Sequence, residues 1–234
     1  MSKVSTGIIP IDKLLDGGLD DDIITAIYGP SSSGKTNIAL ITAINSVLIG
    51  KKVVFIDTEG GVSFERIRQI AKDNFEFVLR NIIFFKPINF QEQKRDIFQV
   101  YKYVRDRSFE VGLIVIDSIS MLYRLERGDQ EVKEVNIELA RQLQILSEIA
   151  RKYNVPILVT NQVYSPFNDR EKVEIVGGDL IKYWSKCLIE LKILQNGVRM
   201  AILKKHRYLP ENRYIKFKIV EHGIIEQNEE EELL

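Results

Sequence analysis

Residues 29–36, Gly29-Pro30-Ser31-Ser32-Ser33-Gly34-Lys35-Thr36, match the phosphate-binding pattern G-x-x-x-x-G-K-[S/T] at every fixed position. Such a loop can wrap its backbone N–H groups around a triphosphate at the positive end of a helix, where aligned dipoles favour an anion. Lys35 then reaches the β- and γ-phosphates, the Thr36 hydroxyl ligates Mg²⁺, and Asn37 extends the binding stretch. Other side chains suit the same chemistry. Asp117 ends an apolar run and fits the carboxylate that holds Mg²⁺ indirectly, which makes Thr36 and Asp117 the metal candidates. Glu59 can orient and polarise a water aimed at the γ-phosphate, and Gln162 can hydrogen-bond both. The catalytic candidates are therefore Lys35, Glu59 and Gln162.

Groups scattered over more than a hundred positions must be brought together by the elements that carry them. Residues 23–28, 53–57, 82–85, 113–117 and 156–160 are short apolar runs, the pattern of strands buried on both faces of a parallel sheet. Between them, residues 37–40 open a long apolar helical stretch, while 64–71, 90–107 and 135–149 carry apolar residues at helical spacing. The stretch after Asp117, with Tyr123, Arg124, Arg127 and Gly128, reads as a loop, and residues 163–176 read as a second, mobile one. Beyond Gly177-Gly178, the runs 188–194 and 198–203 flank Gln195-Asn196-Gly197 as a hairpin, and 214–220 adds a strand. The expected fold is α/β: a mostly parallel sheet flanked by helices, with antiparallel C-terminal strands. In such folds ligands bind beyond the carboxyl ends of the parallel strands. Glu59, Asp117, Gln162 and the 29–36 loop all follow strand ends, so they are expected to converge.

Composition narrows the remaining choices. A chain of 234 residues suits one large domain, expected over 1–226, with the acidic residues 227–234 fraying into solvent. Lys+Arg and Asp+Glu balance at 33 each, so contact with nucleic acid must come from a local patch. The single cysteine, Cys187, excludes an internal disulfide and reads as a packed core residue. No signal peptide is read at the N-terminus, and no apolar run approaches the roughly 20 residues of a membrane span, so a cytoplasmic protein without membrane partners is expected. The run Lys204-Lys205-His206-Arg207 lies between C-terminal strands. Lys205 and Arg207, pointing the same way along a strand, would reach the γ-phosphate held by a neighbouring subunit.

With these residues assembled, the chain resembles the RecA/RadA/Rad51 recombinase superfamily, most closely its archaeal RadB branch. The marks are Tyr28 through Thr36, Ile56-Asp57-Thr58-Glu59-Gly60, Phe64-Glu65-Arg66, Val115-Ile116-Asp117-Ser118, Tyr123-Arg124, Thr160-Asn161-Gln162-Val163, Gly177-Gly178, and Lys205-His206-Arg207 with Leu209-Pro210-Glu211. The resemblance implies a RecA-like P-loop NTPase core that takes ATP and Mg²⁺ near a subunit boundary, hence a homo-oligomer. It implies that Arg66 lies against the adenine and that Lys205, Arg207 and Pro210 belong to the nucleotide-binding set. It also turns the loops after Asp117 and Gln162 toward DNA, expected to be single-stranded. Arg124, Arg127 and Arg170 would then contact phosphates, with Tyr123 or Phe167 stacking on bases. The chain begins almost at the core and Lys205 replaces an acidic residue of strand-exchange recombinases. An accessory role is therefore expected: binding ATP and DNA, hydrolysing ATP weakly, and assisting a main RadA-type recombinase in recombination and repair. The alternative is a DNA-stimulated RecA-like ATPase or motor.

Overall fold

The structure, a computed structural model, describes residues 2–108, 110–129, 132–164 and 174–227, with the side chains of 127–129 left aside. The chain opens with β1 (Lys3–Val4), α1 (Ile9–Leu14) and β2 (Leu19–Asp20), then runs β3 (Ile24–Tyr28), α2 (Lys35–Leu48), β4 (Lys52–Asp57), α3 (Phe64–Ala71), α4 (Phe75–Asn81) and β5 (Ile82–Phe85). It continues through α5 (Phe90–Arg105), β6 (Val111–Asp117), α6 (Met121–Asp129), α7 (Val132–Tyr153), β7 (Ile157–Asn161), β8 (Val163–Tyr164), β9 (Glu174–Ile175) and α8 (Gly178–Trp184). The last strands are β10 (Cys187–Ile193), β11 (Val198–Lys205), β12 (Tyr214–Val220) and β13 (Gly223–Glu226).

A nine-stranded sheet organises the molecule, in the order β13-β12-β11-β10-β3-β7-β6-β4-β5. From β10 to β5 every neighbouring pair is parallel, and β10 to β13 continue antiparallel. The apolar runs are continuous because alternate residues enter two different cores. On β4 and β6, Val53, Phe55, Leu113 and Val115 face the layer of α1 to α4. Val54, Ile56, Ile114 and Ile116 face the layer of α5 to α8. Helix ends are set locally: Ser63 caps α3 by accepting from Arg66 N at 3.0 Å, and Asn89 caps α5 by accepting from Glu92 N at 2.8 Å. Cys187 is buried as expected, and desolvation pushes its thiol up to about 12.

Several local expectations change. The stretch after Asp117 is helix α6, because Leu122 and Tyr123 are buried and Tyr123 packs edge-on against Phe90. Around the second expected loop, β8 and β9 pair as a short antiparallel ribbon, Val163 opposite Ile175. Helix α8 follows immediately from Gly177, which takes a φ of 74° suited to glycine. The β1–β2 ribbon and helix α4 are too short to leave a periodic signal in sequence. Gln227, expected to begin the tail, is buried, and its N–H bonds Lys216 O at 3.0 Å. Among the described residues no helix is long and apolar enough to cross a membrane.

Candidate functional site

The strands β3, β7, β6 and β4 lie side by side and parallel, so their carboxyl ends form one edge. That edge collects the 29–36 loop, Gln162, Asp117 and Glu59, the convergence expected from sequence. A cavity of about 560 Å³ opens there; Gly29, Ser31, Ser32, Gly34, Lys35, Thr36, Asn37, Glu59 and Gln162 are among its lining. A larger cavity of about 690 Å³ sets Glu174, Asp179 and Glu190 against Lys182 and Lys204, a poorer electrostatic match for phosphate.

Glycine is required twice in the loop. A Cβ on Gly29 would sit 2.6 Å from Leu191 O of β10, and Gly34 caps α2 at a φ of 104° with Ile219 close beside it. Lys35 is buried and folds back on its own loop, donating to Gly29 O at 2.9 Å and Pro30 O at 2.8 Å. Burial lowers its pKa, while Glu59 and Asp117 hold it up. Pro30 is exposed, and its carbonyl also accepts from Ser33 N at 3.3 Å. The Ser33 hydroxyl is buried without a hydrogen-bond partner.

Asp117 is also buried. One carboxyl oxygen accepts from the Thr160 hydroxyl, whereas Oδ2 has no partner. Desolvation pushes its pKa up to about 6, outweighing the Thr160 and Thr36 hydroxyls, with Glu59 and Asp57 adding to the rise. A buried carboxylate left half-satisfied beside the Thr36 hydroxyl is what a bound cation would complete, which makes Mg²⁺ with a polyphosphate a chemical fit. Asp57 does different work. Its oxygens accept from Gly61 N and Val62 N, both at 3.2 Å, and so shape the turn that carries Glu59.

Glu59 and Gln162 meet directly: Gln162 Nε2 donates to Glu59 Oε1 at 2.9 Å. Gln162 N donates to Ser120 Oγ at 3.2 Å, and Gln162 O accepts from Val176 N at 3.0 Å. One residue thus touches the turn after β4, the start of α6 and the β8–β9 ribbon.

The remaining candidates divide. Arg66 bridges Asn37 Oδ1, at 2.9 Å, and the backbone carbonyls of Val220 and Glu221, at 3.1 and 2.6 Å, without lining the cavity. Tyr123 cannot stack on bases as it stands, because it is core and its hydroxyl donates to Asn136 Oδ1. Arg124 is exposed and lines the cavity, as Glu59 and Gln162 do. The Arg127 side chain, Phe167 and Arg170 lie outside the described residues. Lys205, Arg207 and Pro210 are not in the cavity lining. β11 runs antiparallel to β10, so it leaves the phosphate edge and ends at the opposite one. Nor do the two cations point together. Lys205 Nζ donates to Lys182 O and Ser185 O, at 2.6 and 2.9 Å, while Arg207, beyond the strand, pairs with Asp20 and Asp22.

Arg199 and Ile219 also line the cavity and were not foreseen. The signal was the hairpin turn at 195–197: once β10 is known to run parallel to β3, that turn must lie at the phosphate edge, two residues from Arg199.

The comparisons agree with this geometry. The Rad51 family model matches residues 1–227. The chain is 45% identical over 218 residues to the "DNA repair and recombination protein RadB" of Methanobrevibacter smithii, covering 92% of each chain. The protein of the same description from Methanocaldococcus jannaschii is 44% identical over 216 residues, covering 92% of this chain and 98% of that one. A solved structure described as "Crystal structure of the RadB recombinase" superimposes with a TM-score of 0.81 at 38% identity, over 96% of this chain and all of that one.

Proposed function

The chain belongs to the Rad51 family, in its RadB branch of DNA repair and recombination proteins, and on that premise we propose that it is an ATP-gated accessory protein of homologous recombination. It binds ATP with Mg²⁺ at the 29–36 loop and, according to nucleotide state, binds DNA and a main RadA-type recombinase inside the cell. The observation that carries this reading is the Gln162–Glu59 hydrogen bond. Gln162 sits between the cavity and the β8–β9 ribbon, so a group that engages it from the cavity is felt by the ribbon.

The loop N–H groups and Lys35 would hold the phosphates, with Lys35 exchanging the Gly29 and Pro30 carbonyls for anionic oxygens. Thr36 and Asp117 would hold Mg²⁺. Glu59 would orient a water, and Gln162 would release Glu59 to bond the terminal phosphate. When bound, ATP supplies a terminal phosphoryl group whose presence or loss separates two states of the same site.

The test pairs nucleotide binding with DNA and recombinase binding. Lys35→Ala is expected to lose about a hundredfold or more in ATP affinity by calorimetry. Single-stranded DNA and recombinase affinities are expected to differ between ATP- and ADP-loaded wild type; equal affinities would sink the switch. A second reading, a DNA-stimulated ATPase, is favoured by the exposure of Glu59 at the cavity. It requires DNA to accelerate turnover and Glu59→Gln to abolish that acceleration.

A further inference from the structure

We propose that Arg199 is a polyphosphate-binding residue supplied by the same chain, from the antiparallel strands rather than from the phosphate loop. The inference rests on the nucleotide reading of the cavity. Arg199 is the second residue of β11 and is carried to the phosphate edge by the β10–β11 turn. Its Nε donates to Ser32 O at 3.3 Å and its Nη1 to Gly197 O at 2.8 Å, and its stem lies 3.7 Å from where a Cβ on Gly34 would stand.

The guanidinium thus rests against the loop while lining the cavity, with N–H groups beyond the two bonded ones. An arginine suits this place because its planar fork can bond a carbonyl and an anionic oxygen at once. The charge balance points the same way. Lys35 is engaged with loop carbonyls, Glu59 and Asp117 bring negative charge, and among the described residues the cavity lining adds only Arg124 and Arg199 as further cations. Both arginines line the cavity, and of the two it is Arg199 that bonds the phosphate loop, at Ser32 O.

The test is calorimetric titration of wild type, Arg199→Met and Arg199→Gln with ATP, ADP and adenosine, all with Mg²⁺ at about 0.1 M salt. Wild type must bind ATP, or the nucleotide reading itself fails. Given that, Arg199→Met is expected to weaken ATP and ADP by about tenfold or more and to leave adenosine unchanged. Arg199→Gln keeps a donor for Ser32 O without the charge, and is expected to lose nearly as much. Thermal unfolding without nucleotide identifies a variant that fails to fold; the glutamine variant then carries the result. ATP affinity unchanged in the folded variants, or an equal loss for adenosine, overturns the proposal and leaves Arg199 as a latch on the loop.

Discussion

Two buried aspartates, one at the carboxyl end of a strand of the nine-stranded sheet and one on the β1–β2 ribbon, are finished differently. Asp117, at the end of β6, has one oxygen bonded by Thr160 and the other bonded by nothing. Asp20, just ahead of β3, is equally shielded, yet Tyr208 Oη donates to Oδ1 at 2.8 Å, Arg207 to Oδ2 at 3.4 Å, and His206 Nε2 lies 3.5 Å from Oδ2. Residue type and burial are the same, so partners make the difference. A carboxylate closed by the chain's own donors ties segments together; one left half-open is completed from outside. The cations on and just beyond β11 repeat the contrast. Arg199 faces the cavity with donors to spare, while Lys205 and Arg207, at the far end, are occupied by carbonyls and carboxylates.

Charge removal at each pole breaks or sharpens this comparison. Asp20→Asn leaves Arg207 with a weakened partner network and is expected to cost about 3 kcal/mol in urea unfolding, with ATP affinity unchanged. A matching loss of ATP affinity would show that the two poles are not separate. Asp117→Asn removes a buried, half-satisfied charge. Its nucleotide-free form is expected to gain about 1–2 kcal/mol at neutral pH while Mg²⁺ no longer strengthens ATP binding. Destabilisation instead would mean that Asp117 is as structural as Asp20.

The pH response gives a finer test. With its pKa raised from 3.8 to about 6, Asp117 holds its proton to higher pH folded than unfolded. Over that window the folded state binds more protons, so the contribution of this group to stability falls as pH rises toward 6 and stays low above it. Urea midpoints at about pH 4.5 and 7 should therefore diverge more in wild type than in Asp117→Asn; parallel shifts would count against the raised pKa. The smallest effect is expected at Tyr123. Tyr123→Phe loses the bond to Asn136, about 1 kcal/mol, without changing single-stranded DNA affinity, and a large loss of that affinity would return Tyr123 to the nucleic-acid surface.

Much of the site is legible in sequence because its chemistry is encoded at strand ends. The 29–36 loop, Asp117, Glu59 and Gln162 each follow an apolar run, and strands that all run parallel must end at one edge. The helix α6 was not legible, since its short apolar set, Leu122 and Tyr123, makes sense only against Phe90 on another helix. The place of Arg124 was hidden for the same reason. Read as part of a loop it belonged to a surface; on a helix fixed by Tyr123 it turns to the cavity.

By itself, then, the sequence determined the layers, the parallel edge and the phosphate cradle, because hydrophobic periodicity and glycine's conformational freedom act over a few residues. Only the tertiary structure decided which charges remain available. That choice depends on what β10 and β11 lay beside: Arg199 meets an open cavity, while Arg207 meets Asp20 and Asp22, which are separated from it by more than 180 positions along the chain. Electrostatic energy follows distance in space, and no local pattern carries that distance.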